Sequence, residues 1–193
     1  MKVIDITYSD LDHFYDVVTE RLFAHVKKDE MIAVVGIANS GLELSSGVFK
    51  RLQNKGYSNA MDYGVRCKRP HSSSIDTIGK IYRILPIPPF ISNSLRYIEH
   101  QILGKFRPKQ RTVEFLNHSD TKISKCDHIL IIDDAVDSGH SMKAVYQEIQ
   151  KHNSHAKIDL AAYAITQQNP VIEPAVYQYR NVIVRFPWAM DRQ

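Results

Sequence analysis

The run Ile129-Leu130-Ile131-Ile132, followed at once by Asp133-Asp134, constrains this chain more than any other feature. An apolar run without polar alternation suits a strand covered on both faces, as in a parallel sheet. Two adjacent carboxylates at the end of such a strand are costly unless they face a cation, hydroxyl groups or water. The continuation, Ala135-Val136-Asp137-Ser138-Gly139-His140-Ser141-Met142, reads as a tight hydroxyl-rich turn that opens a helix. Backbone N–H groups, two hydroxyls and a helix N-terminus together make a cradle for a phosphate. Open α/β sheets bind ligands beyond the carboxyl ends of their strands, where this turn falls.

The same arrangement occurs earlier. Met31–Ile37 reads as a first buried strand, Ala38-Asn39-Ser40-Gly41 as a turn, and residues 42–55 as a helix closed by Gly56. A second helix N-terminus at the carboxyl edge is a second candidate anion site; a simple strand-to-helix connection is the alternative. Before it, Ser9 is expected to cap a helix with Asp12 at its third position. Leu11, Phe14, Tyr15, Val18, Leu22 and Val26 give that helix an apolar face. Further strands are expected at Ala60–Cys67, Thr112–Leu116, Ile158–Ile165 and Asn181–Phe186. Met142, Val145 and Ile149 line one face of the helix after the acidic turn. Alternation of strand and helix predicts one α/β domain over 1–193, an open parallel sheet with flanking helices.

With 193 residues the chain can bury a real core. No apolar run approaches the ~20 residues of a membrane span, and Met1–Asp5 lacks a signal-peptide apolar region. Cys67 and Cys126 have no metal or redox spacing and read as small buried hydrophobes. These features lead us to expect a cytoplasmic enzyme or binding protein with no transmembrane segment. The net charge of +4 is uneven. Between Lys50 and Arg111 basic residues far outnumber Asp62, Asp76 and Glu99. Such an excess attracts nucleic acid, an anionic membrane or a small polyanion, or is simply a solvated face. Residues 70–111 form an apolar, proline-interrupted insert, with a short helix around Leu95, Ile98 and Ile102. So many apolar residues argue for a small helical subdomain, one that covers the site, forms a dimer face or touches a membrane.

The segment Ile129–Ser141 resembles the phosphoribosyl-pyrophosphate (PRPP) motif of the type I phosphoribosyltransferases. That motif is four apolar residues, two acids, a small or apolar pair, and Asp-Ser/Thr-Gly-x-Ser/Thr. The resemblance implies a 5-phosphoribosyl transfer from PRPP to a small nitrogenous acceptor, with release of pyrophosphate. Asp133 and Asp134 would hold the ribose hydroxyls, directly or through Mg²⁺. Asp137, Ser138, Gly139, His140 and Ser141 would surround the 5′-phosphate, His140 by its backbone only. Asp137 would be the general base, or else only orient the turn. Ala38, Asn39, Ser40 and Gly41 would hold the pyrophosphate. Many members carry a basic residue in that turn; Lys68 or Arg69 would supply the missing cation. Phe186-Pro187-Trp188 resembles a Pro-Trp motif of the bacterial xanthine–guanine type and of uncharacterised bacterial relatives. Ile183, Val184 and Arg185, in a small C-terminal hood, would then border the base. Trp188 itself also reads as a core aromatic.

One departure bears on the acceptor. Six-oxopurine members carry a lysine after the strand that follows the PRPP motif, and this chain has Tyr163-Ala164-Ile165-Thr166-Gln167 there. Thr166, Gln167 and Gln168 offer neutral hydrogen bonds instead. The resemblance therefore implies a homodimeric enzyme of open acceptor choice, with nucleic acid not expected as partner. A non-catalytic PRPP- or nucleotide-sensing protein on the same fold is the alternative.

Overall fold

The computed structural model describes residues 2–68 and 111–188. The insert expected at 70–111 therefore lies outside the described residues, except for Arg111, and so does Arg69. Strand β1 (Lys2–Asp5) leads into helix α1 (Tyr8–Phe23), then β2 (Ile32–Ile37), α2 (Ser40–Asn54) and β3 (Ala60–Lys68). After the insert come β4 (Thr112–Phe115), a 3₁₀ turn (Leu116–His118) and α3 (Asp120–Ile123). The chain continues with β5 (His128–Val136), α4 (His140–His152), β6 (Lys157–Ile165), β7 (Val176–Arg180) and β8 (Val182–Arg185).

Six of these strands form one sheet in the order β4-β3-β2-β5-β6-β7. The pairs β2–β3, β2–β5, β5–β6 and β6–β7 are all parallel. Strand β2 is buried at every position. Its residues divide by parity between two cores. Ile32 and Val34 face the side that holds Leu11, Phe14 and Val18 of α1 and Leu44, Val48 and Leu52 of α2. Ala33, Val35 and Ile37 face Ile123 of α3 and Met142, Val145 and Ile149 of α4. Each such aliphatic side chain contributes roughly 1.5–3 kcal/mol when fully buried. Both faces of the sheet are thereby covered, as the continuous apolar strands require.

Helix α1 starts two residues earlier than Ser9 implies. Thr7 is the cap: its hydroxyl accepts from the Asp10 backbone at 3.3 Å, and the Asp10 carboxylate accepts from the Thr7 backbone at 2.7 Å. The overlapping Thr7/Asp10 and Ser9/Asp12 pairs satisfy the same capping rule. Ile6 and Leu11, 1% and 2% exposed, bracket the earlier cap from the core. That apolar clasp selects Thr7.

The expected last strand is also corrected. β8 does not join the main sheet but pairs in parallel with β1, Val3 opposite Ile183, Ile4 opposite Val184 and Asp5 opposite Arg185. Arg185 grips Asp5 through Nε at 2.7 Å and Nη2 at 2.9 Å. One face of this two-stranded unit, with Ile4 and Val184, packs on the α1/α2 core. The other face leaves Val3 and Ile183 48% and 46% exposed.

Candidate functional site

Chain order decides where a ligand can enter. From β2 the chain moves to β3 on one side, whereas β5 is followed by β6 and β7 on the other. The switch between these directions lies at the β2–β5 pair, and open α/β sheets bind ligands beyond the carboxyl ends of their strands at such a point. Gly36 of β2 stands opposite Ile132 of β5, so the turns after these strands emerge side by side. These are the two turns singled out in the sequence.

Glycine permits the first turn to approach β5. A Cβ on Gly41 would stand 2.9 Å from the Ile132 carbonyl oxygen and 3.4 Å from Asp133 Oδ1. The first turn of α2 thus lies directly against the acidic pair. The Ala38 N–H donates to the Val65 carbonyl at 2.8 Å, tying the turn to β3, and the Ala38–Asn39 peptide is cis. Asn39 stands at the N-cap position and gives the helix no side-chain hydrogen bond.

The acidic pair is electrostatically loaded. Burial, then the neighbouring Asp134 charge, raises the Asp133 carboxyl well above the usual carboxylate range. The Asp134 N–H donates to Asp133 Oδ1 at 2.9 Å, and the Ala135 N–H to Asp134 Oδ1 at 2.7 Å. These contacts orient the carboxylates without neutralising them. Among the described residues no group of three or more His, Cys, Asp or Glu side chains forms a metal cage. Two carboxylates without a cage suit Mg²⁺, which is held by one or two carboxylates together with substrate phosphates.

The second turn is built as the sequence implied. Gly139 is left-handed, φ 78°, and forms the N-cap of α4. An L-residue there would be strained. His140 Nδ1 and Ser138 Oγ lie 3.0 Å apart. Asp137 is exposed and accepts from the Thr166 hydroxyl at 3.0 Å. Ser141 occupies the first turn of α4.

The sequence reading missed what backs this turn. Residues 166–175 fold over it: a Cβ on Gly139 would meet the Ile172 carbonyl oxygen at 3.0 Å and Pro170 Cβ at 3.2 Å. The Val171 N–H donates to the Ser138 carbonyl at 3.0 Å. Asn169-Pro170 and Glu173-Pro174 mark a turn-rich loop, but nothing in their spacing names its neighbour.

The remaining candidates are distributed as follows. Lys68 is the exposed last residue of β3. Ile183, Val184 and Arg185 lie on β8, which starts beside the carboxyl end of β6, since the Asn181 N–H donates to the Ile165 carbonyl at 2.7 Å. Of the three, only Ile183 offers an exposed apolar face; Val184 packs on the core and Arg185 is engaged by Asp5. Trp188 stacks on Phe186 with ring centroids 4.9 Å apart and is partly buried against the core. It also lines a cavity of about 510 Å³ between α1 and α2, with Tyr8, Tyr15 and Lys50. Cys126 is buried, and burial pushes its thiol up to about 11. Cys67 is partly exposed. No described helix is long and apolar enough to cross a membrane.

The model of the phosphoribosyl transferase domain family matches residues 7–192. No curated protein matches the sequence. Solved structures resemble the fold along nearly its whole length. A purine phosphoribosyltransferase from Pyrococcus horikoshii OT3 is 18% identical with a TM-score of 0.58, over 97% of this chain and 94% of that one. The xanthine-guanine-hypoxanthine phosphoribosyltransferase of Helicobacter pylori is 13% identical with a TM-score of 0.60, over 98% and 95%. A hypothetical protein from Neisseria gonorrhoeae with bound ppGpp is 13% identical with a TM-score of 0.58, over 98% and 91%.

Proposed function

We propose, from the premise that this chain belongs to the phosphoribosyl transferase domain family, that it moves the 5-phosphoribosyl group of PRPP to a ring nitrogen of a nucleobase and releases pyrophosphate. One observation carries the reading. An acidic pair stands between two helix N-termini at the switch point of the sheet, with Gly41 packed against Asp133 and Gly139 opening the second helix. A molecule with a phosphate at one end, a diphosphate at the other and a diol between them matches that order of groups.

In this reading Ser138, Gly139, His140 and Ser141 hold the 5′-phosphate by the turn and the first amides of α4. Asp133 and Asp134 accept from the ribose hydroxyls and would hold Mg²⁺. When bound, that ion would supply positive charge to offset the charge of the departing pyrophosphate. Ala38–Gly41 receives that group on backbone donors. As the glycosidic carbon becomes cationic, the two carboxylates stabilise the developing charge. Asp137, oriented by Thr166, takes the proton from the acceptor nitrogen. Ile183 gives the base an apolar surface beside Val184 and Arg185. The enzyme acts in the cytoplasm as a homodimer.

A second reading keeps binding and loses transfer. Asn39 and Ser40 bring no cation to the pyrophosphate turn, and Thr166 and Gln167 stand where purine members carry lysine. A sensor of PRPP or a related nucleotide needs neither group. Calorimetry of PRPP with Mg²⁺, beside a pyrophosphate-release screen over nucleobases, separates the readings. The enzyme binds PRPP and releases pyrophosphate with one base; the sensor binds and releases none. Replacing both Asp133 and Asp134 by Asn is expected to abolish Mg²⁺-dependent binding, and unchanged affinity would sink the site assignment. Asp137→Ala is expected to keep PRPP binding while lowering transfer about 10²–10⁴-fold, the usual worth of a general base.

A further inference from the structure

Arg180, the last residue of β7, takes no direct part in the proposed chemistry, yet it holds the loop that backs the phosphate turn. Its Nη1 donates to the Gln168 carbonyl at 2.9 Å, and its Nη2 pairs with the Glu173 carboxylate. Its guanidinium lies 5.1 Å from the centre of the Tyr177 ring, on the same strand. One planar fork therefore joins the start of the 166–175 loop to its middle, from a rigid strand. Between those two anchors lie Pro170, Val171 and Ile172, the residues that meet Ser138 and Gly139. Ahead of the first anchor is Thr166, which orients Asp137 and whose N–H donates to the Val136 carbonyl at 2.9 Å.

We infer that Arg180 is a positioning residue: by clamping the 166–175 loop it presses Val171 and Ile172 onto Ser138-Gly139 and pre-forms the 5′-phosphate turn. The function of the clamp rests on the proposed PRPP reading; its existence does not. A loop of this length without anchors loses its shape to conformational entropy, and a phosphate turn that must be ordered on binding binds more weakly. Geometry makes the residue type specific. A guanidinium presents several donors in a fixed plane, so it reaches a carbonyl and a carboxylate together. A lysine ammonium, compact on a flexible stem, keeps the charge but not this two-point grip.

The test uses the full chain, with Arg180→Ala and Arg180→Lys variants. Amide hydrogen exchange is measured on the ligand-free proteins, and binding of ribose 5-phosphate by calorimetry. In Arg180→Ala, exchange is expected to accelerate in 136–141 and at Val171, while α1 and α2 keep their protection. Ribose 5-phosphate affinity is expected to fall about tenfold, the scale of one or two lost charge-assisted hydrogen bonds. Arg180→Lys is expected to fall between the wild type and Arg180→Ala in both measurements. Unchanged exchange in 136–141, or equal loss of protection throughout the protein, overturns the clamp. Wild-type binding with undiminished affinity in Arg180→Ala overturns its role in phosphate binding. If the wild type binds no ribose 5-phosphate, the PRPP reading and that role fall together, and the exchange data still decide whether the clamp exists.

Discussion

Asp133 joins two demands that oppose each other. It stands at the end of a buried strand, where burial and Asp134 raise its carboxyl, and it is also a residue proposed to hold the ribose and Mg²⁺. A raised folded-state value means that the native protein holds the proton more tightly than the unfolded chain. Stability from this group is therefore present at low pH and lost as pH rises through the folded value. For the metal-free protein, Asp133→Asn is expected to raise stability at neutral pH by about 1 kcal/mol, the usual gain on relieving strain at a functional site. That gain is expected to shrink as pH falls from the raised folded value to the ordinary carboxylate value, below which the carboxyl is protonated in both states. Urea unfolding of the two proteins at several pH values checks this; a gain that does not change with pH would contradict it.

Among the elements, those with one dominant physical signal were legible from sequence. Strands β2, β5 and β6 each contain a continuous apolar run, and Met142, Val145 and Ile149 set the buried face of α4. The two turns proposed as the site were legible as strand-to-helix turns for a related reason, since glycine and hydroxyl residues at the end of a buried strand mark a turn that opens a helix. Elements whose signal is shared were less so. Val176–Arg180 and Lys2–Asp5 are short strands that a local pattern does not separate from loop, and β8 was expected in the wrong sheet because its partner lies at the opposite end of the sequence. The loop over Gly139 depends on a tertiary contact that no spacing encodes. Helix α1 had two overlapping caps, and burial of Ile6 chose between them. Thr7→Ala is accordingly expected to cost about 1 kcal/mol, while Ser9→Ala falls within about 0.5 kcal/mol of wild type. Urea midpoints rank the two, and equal losses would return the cap to Ser9.

At the scale of the molecule, the two turns emerge side by side at the switch point, so a ligand that spans both would link β2 to β5. Saturating PRPP with Mg²⁺, at about one hundred times its dissociation constant, is expected on the proposed reading to stabilise the native state by about 2.7 kcal/mol. For a protein of this size that is a rise of roughly 5–10 °C in Tm. The double variant Asp133→Asn, Asp134→Asn is expected to show no rise under the same conditions. A thermal scan of both proteins decides this without any knowledge of the acceptor.

The pairing of β1 with β8 has a further consequence, in the order in which the protein is made. The Asp5–Arg185 contact spans 180 positions. On the ribosome β1 emerges first and waits for nearly all of the described chain before its partner exists. The β2–β5 switch point, with both candidate turns, can be assembled before that strand is translated. Domains fold as synthesis proceeds, and pairings between distant segments come late. The nascent protein thus completes the half proposed to hold phosphate first, and the wall proposed to meet the base closes last.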